Sequence, residues 1–312
     1  MLDFSNSKIL IVGGVMLDKY YFGKVDRISP EAPFPIVNIQ KEEYRLGGAS
    51  NVANNIVSLG GHSLLCGVIG HDLFGKEIER ISRHKNIDTF LLKTSSPTIT
   101  KARIIGGKQQ IVRVDYEDKS ELNADNKKLF RDTISRILPE YDILVISDYG
   151  KGLISEDLCR YLIKLAHKYD KKVIIDPKGK NWEKYSGADI VTPNVKELSD
   201  IVGYTVPNTD RAIEKAAREA ITNNHLTALL VTRSDKGMSL IGPIPPIHIP
   251  THSEEVFDVS GAGDTVVATL GLCLAAGFEI SEAMRTANIA AGIVVKKVGT
   301  ATLTIEELVQ QK

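Results

Sequence analysis

Asp258-Val259-Ser260-Gly261-Ala262-Gly263-Asp264 is followed by a run, from Thr265 to Ala276, that contains no charged residue. This pattern predicts a tight turn that opens a buried helix. The small residues at 261 to 263 let other atoms approach the backbone, and the first N–H groups of a helix have no partner within it. The start of this helix is therefore expected to bind an anion.

Asp264 falls in the first turn of the predicted helix, where the positive end of the helix dipole favours an ionised carboxylate. A carboxylate beside N–H donors that can hold a phosphoryl group indicates an acid or base in phosphoryl transfer. The alternative is that Gly261, Ala262 and Gly263 only allow the helix to pack tightly and that Asp264 caps it.

Short apolar runs elsewhere predict strands that are buried on both faces. They lie at 9–12, 63–69, 142–146, 172–175, 189–191 and 228–231. Amphipathic segments separate most of them, at about 49–60, 74–85, 124–138, 155–169 and 208–224. Strands that alternate with helices predict an α/β fold, in which right-handed crossovers give a mainly parallel sheet with helices on both faces.

Two segments break this alternation, at about 16–45 and 97–117. Both contain antiparallel-type patterns, and Gly106-Gly107 in the second segment predicts a hairpin. We expect one domain, 1–312, in which these segments form a small sheet that covers the site or pairs with another subunit. Ligands of such α/β folds bind at the carboxyl ends of the parallel strands, so a cover there would lie over the site.

Composition excludes several classes of protein. The 312 residues are 43% hydrophobic, and 39 basic residues balance 39 acidic ones, which argues against a general nucleic-acid or membrane surface. The three cysteines form no Cys-x-x-Cys pair, so a disulfide or zinc framework is not expected. The polar N-terminus lacks a signal-peptide pattern, and we expect a cytoplasmic protein.

Three further motifs carry polar groups that suit a ligand. Gly47-Gly48 precedes a predicted helix that contains Asn51, whose amide can bind hydroxyl groups, although a glycine pair is often only a turn. Asn194 and Glu197 share a helix face and suit phosphate and, through water, Mg²⁺; a capping box is the alternative. At the end of one strand, Thr232, Arg233, Ser234 and Gly237 either face nucleotide phosphates or form a polar turn.

Together these motifs, in this order and spacing, resemble the ribokinase-like (PfkB) sugar kinases over essentially the whole chain. The resemblance implies a three-layer αβα sandwich with a β lid, and ATP as the phosphoryl donor. It implies that Asp264 is the base that accepts the sugar hydroxyl proton and that Gly261 to Asp264 form the anion hole. It also places Asp18 at the sugar hydroxyls, Asn288 at the nucleotide, and Asp258 at a potassium site.

Further motifs narrow the resemblance to the D-glycero-D-manno-heptose-7-phosphate kinases. They are Val15–Tyr20, Arg27–Pro33, Pro97–Lys101, Ser147–Gly152 and Asp176–Gly179. The resemblance implies phosphorylation of the anomeric hydroxyl in ADP-heptose synthesis for lipopolysaccharide. Many of these relatives continue into a nucleotidyltransferase domain, whereas this sequence stops shortly after Leu308, so we expect a free-standing kinase whose pathway needs a separate nucleotidyltransferase and phosphatase. One departure is Gly14, where that subfamily has aspartate.

Other functions stay open at this point. Gly14 leaves room for a related kinase with a different sugar, or for a kinase-derived protein that binds a sugar or nucleotide with low activity. A dinucleotide-binding dehydrogenase fits less well, because Gly13-Gly14 lacks the third glycine of that fingerprint.

The phosphate of the sugar substrate requires cations. The candidates are Lys101, Arg103, Arg113 and Lys178, and each could instead be an exposed basic residue. Asp148 is a further candidate for substrate binding. A lid with an open strand edge also predicts a homodimer formed through the lid.

Overall fold

The computed structural model describes residues 2–107, 109–118, 120–251 and 256–311. Its strands in chain order are β1 (Lys8–Gly13), β2 (Val15–Ile28), β3 (Pro35–Gly48), β4 (His62–Gly70), β5 (Asp88–Thr94), β6 (Thr100–Gly106), β7 (Gln109–Tyr116), β8 (Ile143–Ser147), β9 (Lys172–Asp176), β10 (Ile190–Val191), β11 (Leu229–Thr232), β12 (Met238–Ile241) and β13 (Ile247–Ile249).

The α-helices in chain order are α1 (Ala49–Ser58), α2 (Leu73–His84), α3 (Ala124–Ile137), α4 (Glu156–Lys168), α5 (Val195–Val202), α6 (Asp210–Asn224), α7 (Ala262–Ala275), α8 (Ile280–Val294) and α9 (Ile305–Gln311). Every amphipathic segment expected from the sequence is a helix, with ends that differ by at most two residues from those expected.

The central sheet of the described chain has nine strands in the order β13-β12-β11-β10-β9-β8-β1-β4-β5. The seven strands from β11 to β5 are parallel. At one edge, β12 pairs antiparallel with β11, and β13 pairs antiparallel with β12. Since the order reverses beside β1, the carboxyl ends of β1 and β8 lie where such sheets bind ligands. The expected α/β class with a mainly parallel sheet is confirmed.

Helices cover both faces of this sheet and form two hydrophobic cores. Side chains alternate along β1, so Ile9 and Ile11 enter one core while Leu10 and Val12 enter the other. The first core packs against α1, α2, α7, α8 and α9, and the second packs against α3, α4, α5 and α6. This is the expected three-layer arrangement. It holds α7 against the middle of the sheet.

A second sheet has the order β3-β2-β6-β7 and corresponds to the two segments that break the alternation. β2 pairs antiparallel with β3 and parallel with β6, and β6 and β7 form the expected hairpin. Several apolar side chains on this small sheet are exposed, among them Val25, Ile39, Ile111, Val112 and Val114. Within the described residues, no helix is both long enough and apolar enough to span a bilayer.

Candidate active site

The glycine-rich turn leads directly into α7. Gly261 is the N-cap residue with a φ of 81°, and a Cβ atom there would come within 2.8 Å of Asn51 Nδ2. Both the left-handed backbone and the close approach therefore require glycine. A Cβ atom at Gly263 would meet no atom within 4 Å, so this side of the helix start faces open space.

The first turn of α7 leaves backbone donors free. The N–H of Ala262 donates to the carbonyl of Val259, and the N–H of Thr265 donates to that of Gly261. The N–H groups of Gly263 and Asp264 have no acceptor in the described part of the chain, as expected at a helix start. Their position beside open space fits an incoming anion.

Asp264 is buried, and two donors hold its carboxylate. Its Oδ2 accepts a hydrogen bond from Asn51 Nδ2 at 2.7 Å, and its Oδ1 accepts one from the Tyr149 hydroxyl at 2.6 Å. The Oδ1 atom of Asn51 is buried without a partner among the described residues. It could therefore accept a hydrogen bond from a bound hydroxyl group.

The surroundings of Asp264 raise its pKa to about 6. Burial is the main cause, and the negative charge of Asp18 acts in the same direction. The hydrogen bonds from Tyr149 and Asn51, and the positive charge of Lys101, oppose this increase. A carboxylate with a pKa near this value is ionised at neutral pH and is a stronger base than an exposed aspartate.

Asp18 and Gly47 are diagonal neighbours on the β2–β3 pair, in which Asp18 lies opposite Arg45. Asp18 is buried, and its Oδ1 accepts a hydrogen bond from Arg103 Nη1 at 2.5 Å. A Cβ atom on Gly47 would lie 2.6 Å from Asp18 Oδ2. Gly48 has a φ of 59° at the start of α1. The paired glycines therefore make room for the Asp18 carboxylate and turn the chain into α1.

The small sheet also brings Lys101 close to Asp264. Burial lowers the pKa of Lys101, and its Nζ lies 5.9 Å from the centre of the Tyr149 ring. In the described chain it has no carboxylate within ion-pair distance. Arg113 lies opposite Arg103 on β7 and pairs with Asp115. Lys101 is therefore the better placed of these cations to meet a ligand anion.

Asp148 is bound to neighbouring groups of the protein. Its carboxylate accepts hydrogen bonds from the Tyr185 hydroxyl at 2.7 Å and from the Gly150 N–H at 2.7 Å, and it pairs with Lys184. These contacts fix the loop that follows β8. The sugar contact expected of Asp148 from the sequence stays a prediction.

On the other half of the sheet, Asn194 and Glu197 form a complete capping box at the start of α5. This was one of the two alternatives for the motif. Glu197 Oε1 also accepts a hydrogen bond from Lys178 Nζ at 3.0 Å. Lys178, which follows β9, is thus paired with the carboxylate that was expected near Mg²⁺. It does not belong to the small sheet that carries Lys101, Arg103 and Arg113. Both Glu197 oxygens accept hydrogen bonds from protein donors, which suits contact with a metal through water.

The Arg233 side chain is buried. It donates hydrogen bonds to Asn208 at 2.9 Å, to Asp210 at 2.6 Å and to Ser239 at 2.8 Å. These contacts tie β11 and β12 to the start of α6. Its Nε and Nη1 groups are thus used within the fold, and the phosphate contact expected from the sequence stays a prediction.

Three neighbours of Arg233, which are expected at the nucleotide from the sequence, lie at the end of β11 and in the turn after it. Thr232 ends β11 and bridges to Asn194, so these two residues lie side by side at the sheet edge. Ser234 and Gly237 have φ values of 55° and 79° in the following turn. A Cβ atom on Gly237 would lie 2.0 Å from the carbonyl oxygen of Ile249, so the turn packs closely on the strand next to it.

Asp258 connects the loop before α7 to the loop after α8. Its carboxylate accepts hydrogen bonds from the N–H groups of Ser260 at 2.9 Å and Gly299 at 2.8 Å. Arg45 of the small sheet donates to the carbonyl of Val298 at 3.0 Å.

Asn288 donates to the carbonyl of Pro250 at 2.6 Å, which leaves its amide oxygen for another donor.

Two residues, Tyr149 and Asp176, interact with Asp264 but were not selected as site residues from the sequence. Tyr149 lies in the Ser147–Gly152 motif, but its contact is with Asp264, 115 residues away. Asp176 ends β9, and its pKa is raised well above the usual range by burial and by the charges of Asp264 and Glu197. The signals available in the sequence were the positions of Tyr149, two residues after the end of β8, and of Asp176, the last residue of β9.

Comparison with known proteins agrees with this geometry. The model of the pfkB family of carbohydrate kinases matches residues 6–307. The chain belongs to this family. This pfkB kinase is therefore a sugar kinase that uses ATP and a metal ion.

Curated relatives of this pfkB kinase are longer than it. The bifunctional protein HldE of Haemophilus influenzae (strain PittEE) is 45% identical over 308 residues, which cover 98% of this chain and 63% of that protein. HldE of Vibrio vulnificus is 44% identical over 310 residues, covering 99% and 64%. The chain thus spans less than two thirds of the length of these relatives.

Solved structures share the fold. Phosphofructokinase-2 from Escherichia coli, in complex with potassium, superposes with a TM-score of 0.81 at 20% identity over 97% of both chains. Arabidopsis thaliana ribokinase, complexed with ribose and ATP, gives a TM-score of 0.76 at 19% identity over 98% of both chains. The ribokinase-like fold expected from the sequence is confirmed.

Proposed function

We propose that the chain transfers a phosphoryl group from ATP to the anomeric hydroxyl of D-glycero-D-manno-heptose 7-phosphate, giving the 1,7-bisphosphate for ADP-heptose and lipopolysaccharide core synthesis. The similarity to HldE over nearly the whole chain supports the substrate. The observation that carries the chemistry is the buried carboxylate of Asp264, beside free N–H donors at the start of α7.

In this proposal Asp264 accepts the proton of the attacking hydroxyl. The anion hole of Gly261 to Asp264, in which the N–H groups of Gly263 and Asp264 have no acceptor in the described chain, holds the phosphoryl group while its charge develops. Base catalysis of this kind contributes about 10²- to 10⁴-fold in rate, and removing a donor from an anion hole costs about 10²- to 10³-fold. Asp18 and Asn51 orient the sugar hydroxyls from β2 and α1.

The sugar phosphate is assigned to the small-sheet cations. Lys101 is the main candidate, because burial without a carboxylate partner in the described chain leaves its charge available. Arg103 and Arg113 lie on neighbouring strands and can add contacts if their present carboxylate partners rearrange. Gly47 and Gly48 allow the sugar to approach the backbone.

ATP is assigned to the half of the sheet that runs from β9 to β12. Thr232, Ser234 and Gly237 would line the phosphates with backbone and hydroxyl groups, while Asn194 and Glu197 would act near Mg²⁺ through water. Mg²⁺ would neutralise charge on the donor phosphates. Asp258 and the adjacent Val298 carbonyl would lie at a potassium site, and Asn288 would lie beside the nucleotide.

We also propose that residues 1–312 act as one kinase domain and that the small sheet is its lid. Its exposed apolar residues would be covered in a homodimer, because such a surface costs free energy in water. Nucleotidyltransferase and phosphatase activities would complete the pathway. Use of ATP and a sugar phosphate is consistent with a cytoplasmic location.

A coupled assay of ADP release tests the proposed substrate. Heptose 7-phosphate, fructose 1-phosphate and ribose are compared at equal concentration, with Asp264→Asn as the matched control. We expect the highest kcat/KM with heptose 7-phosphate and a loss of about 10²- to 10⁴-fold in the variant. A clear preference for another sugar would assign this site to a related kinase.

A binding protein of low activity is the second candidate, favoured by Gly14 at the carboxyl end of β1. Calorimetry with the same sugars separates it from a kinase. Tight sugar binding without ADP release in the presence of ATP and Mg²⁺ would support this candidate and contradict the kinase.

A further inference from the structure

We propose that Tyr149 is a positioning residue for the reaction at Asp264: its hydroxyl group holds the carboxylate in the orientation and the ionised state in which it accepts the sugar proton. This inference rests on the proposed function. Tyr149 lies in the loop after β8 and binds Oδ1 of Asp264, whereas Asn51 binds Oδ2.

The hydrogen bond itself is short and has only one possible direction. The Tyr149 hydroxyl lies 2.6 Å from Asp264 Oδ1. Burial, followed by the charge of Asp264, raises the pKa of Tyr149 well above its usual range. The phenol therefore stays protonated at neutral pH and must donate. A donated hydrogen bond stabilises the ionised form of a carboxylate.

The surrounding structure holds Tyr149 in place. Asp148, the preceding residue, is fixed by Tyr185, Lys184 and the N–H of Gly150. On the side of β1, a Cβ atom added to Gly14 would lie 3.1 Å from the Tyr149 Cβ, so the loop packs directly against this glycine. The loop is thus anchored on both sides, and the direction of the hydroxyl is set by the fold.

Several charged groups face Asp264 from other elements. Asp18 on β2 raises the pKa of Asp264, whereas Lys101 on β6 lowers it. Asp176 at the end of β9 is also coupled to Asp264 by charge. Asn51 on α1 and Tyr149 supply the two hydrogen bonds that oppose the effect of burial. Of these two donors, Tyr149 can lose its hydroxyl group while its ring keeps the same packing.

The test is Tyr149→Phe, which keeps the aromatic ring, its packing against Gly14 and its position near the Lys101 ammonium group. We expect the pKa of Asp264 to rise, so the acidic limb of kcat/KM should move to higher pH by roughly one to two units. At pH values above the acidic limbs of both the wild type and the variant, the kcat of the variant should approach that of the wild type, and its sugar KM should change little.

Two further variants sharpen this experiment. Tyr204→Phe is the matched control, because it removes a hydroxyl bond to another carboxylate, Glu219, at 3.0 Å on the surface. Its pH profile should match the wild type. Gly14→Ala leaves every hydrogen-bonding group in place but crowds Tyr149, and it should shift the limb in the same direction by a smaller amount.

Carbon NMR of labelled aspartate carboxyls gives a readout that does not need turnover. Asp264→Asn identifies the signal, and its titration is compared in the wild type and Tyr149→Phe. A higher midpoint in the variant supports the inference even if no tested sugar is phosphorylated, a result that would refute only the proposed function. An unchanged midpoint, or an equal loss of rate at every pH, would overturn the role of Tyr149.

Discussion

Replacing Asp264 with asparagine should stabilise the protein while removing most of its turnover. Burial raises the pKa of Asp264 from an ordinary value of 3.8 to about 6. At pH values between these two pKa values, Asp264 binds a proton in the native protein but not in the unfolded chain. The free energy of unfolding of the wild type therefore falls as pH rises through this window, and the decrease is complete above the higher value.

The size of the effect follows from the shift. A change of roughly two pKa units corresponds to about 3 kcal/mol, which is the destabilisation that the ionised Asp264 carries at pH 8. Asparagine at 264 carries no charge. Its amide could leave one donor facing Asn51 Nδ2, at a cost of about 1–3 kcal/mol, but rotation of Asn51 would present its unpartnered Oδ1 instead.

Urea unfolding of both proteins at pH 8, 6.5, 5 and 4, followed by circular dichroism, measures this difference. We expect Asp264→Asn to be more stable by about 2–3 kcal/mol at pH 8, with the advantage disappearing near pH 4. The same variant should lose about 10²- to 10⁴-fold in kcat. A variant that is less stable at pH 8, or whose difference does not depend on pH, would refute the reasoning.

Three other substitutions test neighbouring parts of the site. Gly47→Ala should push on Asp18 and raise the sugar KM about tenfold without changing the ATP KM, whereas an unchanged sugar KM would remove Asp18 from the sugar site. Arg233→Met should lower the free energy of unfolding by about 1–3 kcal/mol, because it leaves buried polar partners such as Ser239 without this donor, with little effect on the ATP KM. Ser234→Ala is the control, and the reverse pattern would show a nucleotide contact. Asp258→Asn should abolish any rate difference between potassium and sodium buffers, and an unaltered difference would exclude this potassium site.

The sequence was sufficient for six of the seven parallel strands of the central sheet and for the turn before α7. Continuous apolar runs and their spacing encode burial on both faces, so strands such as β1 and β8 were predictable. β5 was missed because every one of its residues is partly or fully exposed, and β12 and β13 were missed because Ser239 and His248 interrupt their short apolar runs. Neither strand type leaves a strong periodic pattern.

The site was less predictable because its contacts join distant residues. Asp264 and Asn51 carry recognisable local motifs, whereas the role of Tyr149 depends on a contact that only the folded chain creates. Arg233 shows the same difficulty, since a basic residue at a strand end suggests a phosphate contact, while its contacts with Asn208 and Asp210 appear only in the folded chain. Local pattern cannot show which of several acceptors a long side chain will reach.

Phosphorus NMR of the reaction products tests the central claim most directly. The purified chain is incubated with ATP, Mg²⁺ and heptose 7-phosphate, and the spectrum is followed until ADP stops forming. We predict one new phosphate signal, coupled to the anomeric proton, for each ADP formed, with the 7-phosphate signal retained. ADP accompanied only by inorganic phosphate, or a new phosphate at another carbon of the sugar, would contradict transfer to the anomeric hydroxyl.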